Sequence, residues 1–148
     1  KPTAASGNPK ILVCLATGTG PATDDSAMLL ASRIADSIPT EIILVCVLIV
    51  PRELPLQAPL AKQEESTLRA IERAHRFFDG KSQLYAARIE RGRDIPSTLK
   101  EVMEEVKVST VVLPLNDDPS EAENNAKLMK TVMAKIDAEV VFVRNSAS

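Results

Sequence analysis

The sequence predicts an α/β domain of three layers, an open parallel five-stranded sheet with helices on both faces. Two observations predict it. Short β-branched runs alternate with amphipathic helical runs in the order β-α-β-α-β-α-β-α-β, and right-handed crossovers turn that order into a parallel sheet between helices. The run Ile42–Val50 is wholly apolar, as suits a parallel strand covered on both sides. A third observation bears on use. No glycine follows Gly92, whereas small nucleotide-binding α/β domains hold phosphates on glycine-rich turns whose bare N–H groups approach the anion.

The elements follow in order. Residues 1–9 form a polar leader with Gly7, Pro2 and Pro9, expected to be flexible. Strand one is Ile11–Ala16. After the loop 17–23, Thr23 or Asp24 can cap a helix running to Ile38. Ala27, Leu30, Ala31, Ile34 and Ile38 mark its expected buried face, and Pro39 ends it. Strand two is Glu41–Val50. Pro51, Pro55 and Pro59 disfavour regular structure through Leu60.

Helix two, Gln63–Phe78, carries Leu68, Ile71, His75 and Phe78 on one stripe, with Glu65–Arg69 and Glu72–Arg76 as i,i+4 pairs on the other. Gly80 breaks it. Strand three, Gln83–Glu90, alternates as an edge strand does, and Gly92 is expected to turn the chain. Helix three, Ile95–Val106, has Pro96 in its first turn and buries Ile95, Leu99, Val102 and Val106. Strand four is Thr110–Leu115, and Asn116–Ser120 is a turn. Helix four, Ser120–Ile136, is expected to bury Ala122, Ala126, Met129, Met133 and Ile136. Strand five is Glu139–Arg144, and a polar tail, Asn145–Ser148, closes the chain.

Composition excludes several function classes. The 148 residues suit one domain, here residues 10–144, with a real core. Apolar residues at 45% and charged residues at 26% mark a globular rather than a disordered chain. With aromatics at 3%, no Trp and a net charge of −2, stacking platforms and a basic surface for nucleic acid are absent. The longest apolar run is far below the ~20 residues of a membrane helix. No signal-peptide pattern opens the sequence, and the expected location is the cytoplasm. The chain opens on Lys1, which fits excision from a longer protein or a cloning choice equally.

Candidate sites are few. Thr17, Gly18, Thr19 and Gly20 follow strand one, where ligands dock in open α/β sheets, so they form a candidate anion or nucleotide loop, with a plain strand-to-helix turn as the other reading. A full dinucleotide fingerprint fails, because Thr23 stands where its last glycine belongs. Asp24 and Asp25 add negative charge nearby. Arg91-Gly92-Arg93, with Arg88, reads as a solvated cationic turn or a contact for an acidic partner. His75 reads as a half-buried core histidine. Cys14 and Cys46 read as small buried hydrophobes in a reducing compartment, and Met28, Met103, Met129 and Met133 as core filler. Asp117 and Asp118 read as turn and helix-start charges. No catalytic constellation, metal site or cofactor is expected.

Several stretches, Lys10-Ile-Leu-Val-Cys-Leu-Ala16, Ile43-Leu-Val-Cys-Val47, Glu90-Arg-Gly-Arg-Asp-Ile95 and Glu139-Val-Val-Phe-Val-Arg144, together with the order of elements, resemble the universal stress protein family from Lys10 to Arg144. The resemblance implies the adenine nucleotide alpha hydrolase-like fold with strand order 3-2-1-4-5. It implies an adenine-side contact at Val47, and a dimer through the last strand at Val140, Val141, Phe142 and Val143. It also exposes departures. The acid that ends strand one in ATP-binding members is Ala16 here. Their G-x2-G-x9-G-[ST] stretch falls on Pro114, Asp117, Lys127 and Leu128, none of which matches. The chain therefore resembles members that lack ATP binding, which occur as cytosolic domains of membrane transporters, including amino-acid permeases, cation/proton antiporters and cation-chloride cotransporters. That implies a regulatory domain partnered by the membrane portion of a parent protein at the inner face of the cell membrane. A standalone stress protein binding a nucleotide or small ligand through residues 17–20 is the alternative.

Overall fold

Five parallel strands form one sheet in the order β3-β2-β1-β4-β5 in the computed structural model, as expected. Residues 8–16 and 19–144 are described. The leader through residue 7, Thr17 and Gly18 of the candidate loop, and the tail 145–148 lie outside the described residues. The strands are β1 (Lys10–Ala16), β2 (Ile42–Ile49), β3 (Leu84–Gly92), β4 (Val108–Pro114) and β5 (Glu139–Val143). The helices are α1 (Pro21–Ser37), α2 (Ala61–Phe77), α3 (Ile95–Glu105) and α4 (Ala122–Lys135), the last preceded by a 3-10 turn at Pro119–Glu121.

The pleat splits each central strand between two cores. Ile11, Val13 and Leu15 of β1, with Ile42, Leu44 and Cys46 of β2, meet α1 and α2. Leu12 and Cys14, with Ile43, Val45 and Val47, meet α3 and α4. Both cysteines are free and buried, and they belong to opposite cores. Each fully buried Leu, Ile or Val contributes about 1.5–3 kcal/mol, so the two central strands carry much of the stability.

α1 turns inward much of the face expected, with Ala27 and Ala31 buried and Leu30 and Ile34 packed against the core, while α2 and α4 depart further from expectation. In α1 the buried positions are Ala27, Met28, Ala31, Ser32 and Ala35, while Ile38 is 66% exposed. In α2 they are Thr67, Ala70 and Ala74, continued by Phe78. Leu68 and His75 are exposed, so His75 is not a core histidine. In α4 Val132 is the buried residue, followed by Ile136, while Met133 is 71% exposed and Ala122 and Ala126 face solvent. The physical reason is close approach. α2 sets small residues against the sheet and leaves larger apolar side chains at the margin, so ranking positions by hydrophobicity misplaces its stripe by about one residue. α3 follows expectation, burying Leu99 and Val102. Asp94 caps it, accepting from the Ser97 N–H at 2.8 Å.

Gly92 ends β3 instead of turning the chain. A Cβ there would lie 1.8 Å from Thr98 Oγ1, so the α3 N-terminus can approach the strand only because the residue is glycine. Gly80 does break the chain after α2, at φ 79°, a conformation glycine adopts at little cost. The neighbouring arginines are not a solvated turn. Arg91 donates to the carbonyls of Leu56 and Ala58 at 3.1 and 2.7 Å. Arg93 donates to those of Val50, Pro51 and Leu54 at 3.3, 2.6 and 2.8 Å. They hold the proline-rich segment between β2 and α2, whose prolines leave carbonyls without a regular ladder.

Candidate functional site

Strand order reverses between β1 and β4, which makes the crevice above their C-terminal ends the natural ligand site of this fold. On the β1 side the chain enters α1 at Pro21, with Gly20 as N-cap. The helix therefore starts earlier than expected, and Thr23 and Asp24 stand in its first turn rather than capping it. Both turn inward and are buried. Gly20 has open space where a Cβ would sit, so glycine is not sterically demanded there.

On the β4 side the strand ends at Pro114, which has no N–H to offer. The Leu115 N–H is spent on the Val143 carbonyl at 2.7 Å. Asn116 and Asn125 bracket each other: the Asn116 N–H donates to Asn125 Oδ1 at 3.3 Å, and Asn125 Nδ2 donates to the Asn116 carbonyl at 2.9 Å. Asn116 Oδ1 accepts from the Asp118 N–H at 3.0 Å, and Asp118 in turn accepts from the Ser120 N–H at 3.0 Å. Those bonds from Ser120 hold the Asp118 carboxyl below its usual range. Asp117 reaches across the crevice and accepts a hydrogen bond from the Thr23 hydroxyl. The turn after β4 is thus closed by side-chain amides and carboxylates.

The candidate residues do not converge. Val47 is fully buried in the α3/α4 core, paired in register with Ala16. Thr19 lines a cavity on the other side of the sheet. That cavity, about 230 Å³, lies between the start of α1 and the middle of α2. Leu15, Cys46 and Ala70 supply apolar lining, and Thr19, Ser66, Thr67, Asp24, Arg69 and Arg73 supply polar groups. Asp24 is 3% exposed. It accepts from the Thr19 hydroxyl at 2.7 Å and pairs with Arg73 at 3.4 Å. Burial raises its carboxyl above the usual range, against the opposing pull of Thr19 and Arg73. Burial, with the Asp24 charge, pushes the Cys46 thiol up to about 12, so it is not a nucleophile near neutral pH.

Sequence reasoning missed this cavity, whose α2 wall lies off the stripe expected to be buried. The available signal was the line of small residues Thr67, Ala70 and Ala74. Among the described residues, no group of three His, Cys, Asp or Glu side chains could hold a metal ion. None of the helices among the described residues is long and apolar enough to cross a membrane. Val140, Val141, Phe142 and Val143 are half-buried on β5, the last strand of the sheet.

No family model and no curated protein matches this sequence. Solved structures do. The universal stress protein from Archaeoglobus fulgidus superposes with a TM-score of 0.69 at 12% identity, over 92% of this chain and 98% of that one. The same protein in complex with dAMP gives 0.66 at 11% identity, over 92% and 98%. A universal stress protein family member from Burkholderia pseudomallei gives 0.64 at 15% identity, over 88% and 93%. At these identities the likeness establishes the architecture, and the fold of this chain is that of the universal stress proteins.

Proposed function

We propose that this chain is a non-catalytic regulatory module of universal stress protein type that does not hold ATP in the manner of the family's ATP-binding members. One observation carries the reading. Where a glycine turn would present N–H groups to a phosphate, the chain places Asp117, and that carboxylate is tied across the crevice to Thr23. A phosphate docked there would face a fixed negative charge and would have to break the Thr23 bond. Asp118 adds a second carboxylate beside it. In this reading the domain dimerises through β5 and serves as the cytosolic part of a membrane transporter, such as an amino-acid permease, a cation/proton antiporter or a cation-chloride cotransporter. The place of β5 as last strand of the sheet supports the dimer, because an apolar edge strand invites pairing.

The second reading is a standalone stress protein that binds a nucleotide through residues 17–20. The similarity to a protein seen with dAMP favours it. Thermal unfolding with ATP, AMP, cyclic nucleotides and cyclic dinucleotides separates the two. A ligand at about 100 times its dissociation constant adds roughly 2.7 kcal/mol, several degrees for a domain of this size. No shift across the panel supports the first reading, and a clear shift supports the second. Hydrophobic spans encoded upstream of Lys1 test the transporter assignment separately.

A further inference from the structure

The cavity between α1 and α2 is lined by one buried carboxylate, Asp24, and by two guanidinium groups, Arg69 and Arg73, and Asp24 meets Arg73 only through one long hydrogen bond. Arg73 lies 3.4 Å from Asp24, well beyond the roughly 2.7–2.9 Å of a well-made charge-assisted bond. Arg73 Nε is buried and has no hydrogen-bond partner among the described residues. Burying charge in this incomplete state is costly unless something completes the bonding. We propose that this cavity binds a small zwitterion of free amino-acid size, its carboxylate held by Arg73 and its ammonium by Asp24.

Size and charge select this class. The cavity has a volume of about 230 Å³. It falls below the roughly 300–1,000 Å³ of sites for drug-sized ligands, which favours a ligand smaller than a nucleotide. A simple anion would meet the Asp24 carboxylate, and a simple cation would meet Arg73 and Arg69, the latter already paired with Glu65. A molecule with both charges a few ångströms apart complements both. Ser66 and Thr67 line the same cavity, and Leu15, Cys46 and Ala70 supply apolar lining for a short side chain. The site shares Thr19 with the candidate 17–20 loop, but it includes no residue of the turn after β4, and Val47 is buried in the opposite core. A nucleotide held by the turn after β4 would leave this lining unchanged apart from Thr19.

Calorimetric titration of the whole chain with each of the twenty amino acids tests the proposal, each compared with its methyl ester and its N-acetyl derivative. At least one amino acid should bind saturably with a dissociation constant below about 1 mM. Its ester and its acetyl form should bind at least about ten-fold more weakly, each having lost one charge-assisted contact. Arg73→Gln should weaken binding by a similar factor, and Ser66→Phe should abolish it by filling the cavity. Both positions are only half-buried, and circular dichroism checks that both variants fold. Saturation by no amino acid up to about 10 mM would overturn the proposal. So would equal binding of esters and acetyl forms, or unchanged binding by Ser66→Phe. Nucleotide binding in the same samples reports separately on the crevice, which Ser66→Phe leaves intact.

Discussion

The Thr23 hydroxyl donates to the Asp117 carboxylate across 94 residues of sequence. The bond joins the first turn of α1 to the turn after β4 and closes the crevice where ligands of this architecture dock. Thr23 is fully buried, so replacing it leaves a carboxylate short of a partner. Thr23→Val, similar in shape, should cost about 1–3 kcal/mol in urea denaturation. A loss below about 0.5 kcal/mol would mean the bond contributes little to the native state.

Gly92 and Thr98 should be coupled. Gly92→Ala would force α3 away from β3, because its Cβ would fall 1.8 Å from Thr98 Oγ1, and overpacking of this kind costs about 1–3 kcal/mol. Thr98→Ala removes the obstructing atom along with its 2.7 Å bond to the Asp94 carbonyl. The double variant should therefore be more stable than the sum of the single losses implies. Strict additivity in chemical denaturation would contradict the clash.

Arg93 should govern access to the proline-rich segment. It supplies donors to three carbonyls there. In Arg93→Met, trypsin should cut after Arg52 about ten-fold faster, with little change in global stability, because the loss is local. An unchanged cleavage rate would show that Arg91 and packing hold the segment unaided.

Asp24 gives stability an unusual pH dependence. Burial raises its pKa in the fold, so the native state binds a proton more tightly than the unfolded chain, whose Asp titrates near ~3.9. Its contribution is fully present below that unfolded value and is lost as pH rises through the folded one. Asp24→Asn should therefore gain on wild type in moving from pH 3.5 to pH 7, measured by urea denaturation at each pH. A difference that stays flat, or favours wild type at pH 7, would mean that Arg73 outweighs burial.

Much of this fold was legible because its strands are unambiguous. Nine apolar residues in a row at Ile42–Val50 have few alternatives to a central strand, and the alternation of elements dictates the rest. Gly80 and Pro96 marked boundaries through local chemistry alone. The helical faces were harder. Ala70 and Ala74 face the sheet because they are small, while Leu68 does not, and hydrophobicity alone ranks them the other way. Contacts between distant segments left no local trace. Nothing around Arg93 announces that it will bind carbonyls some 40 residues earlier, as its bond to Leu54 does with a separation of 39. The candidate site was half legible for the same reason. The acids at Asp117 and Asp118 could be read as hostile to phosphate, but the Thr23 bond and the Asp24–Arg73 cavity exist only once α1, α2 and β4 are assembled.

The central claim is that the crevice beside β4 is closed to phosphate. Titration of the isotopically labelled chain with ATP, followed at the backbone amides of Gly20, Val47, Asn116, Asp117 and Asp118, tests it most directly. The account predicts no saturable change at these amides up to millimolar ATP. Saturable shifts at Gly20, Val47 and Asn116–Asp118 together would contradict it, and would place a nucleotide where Asp117 now meets Thr23.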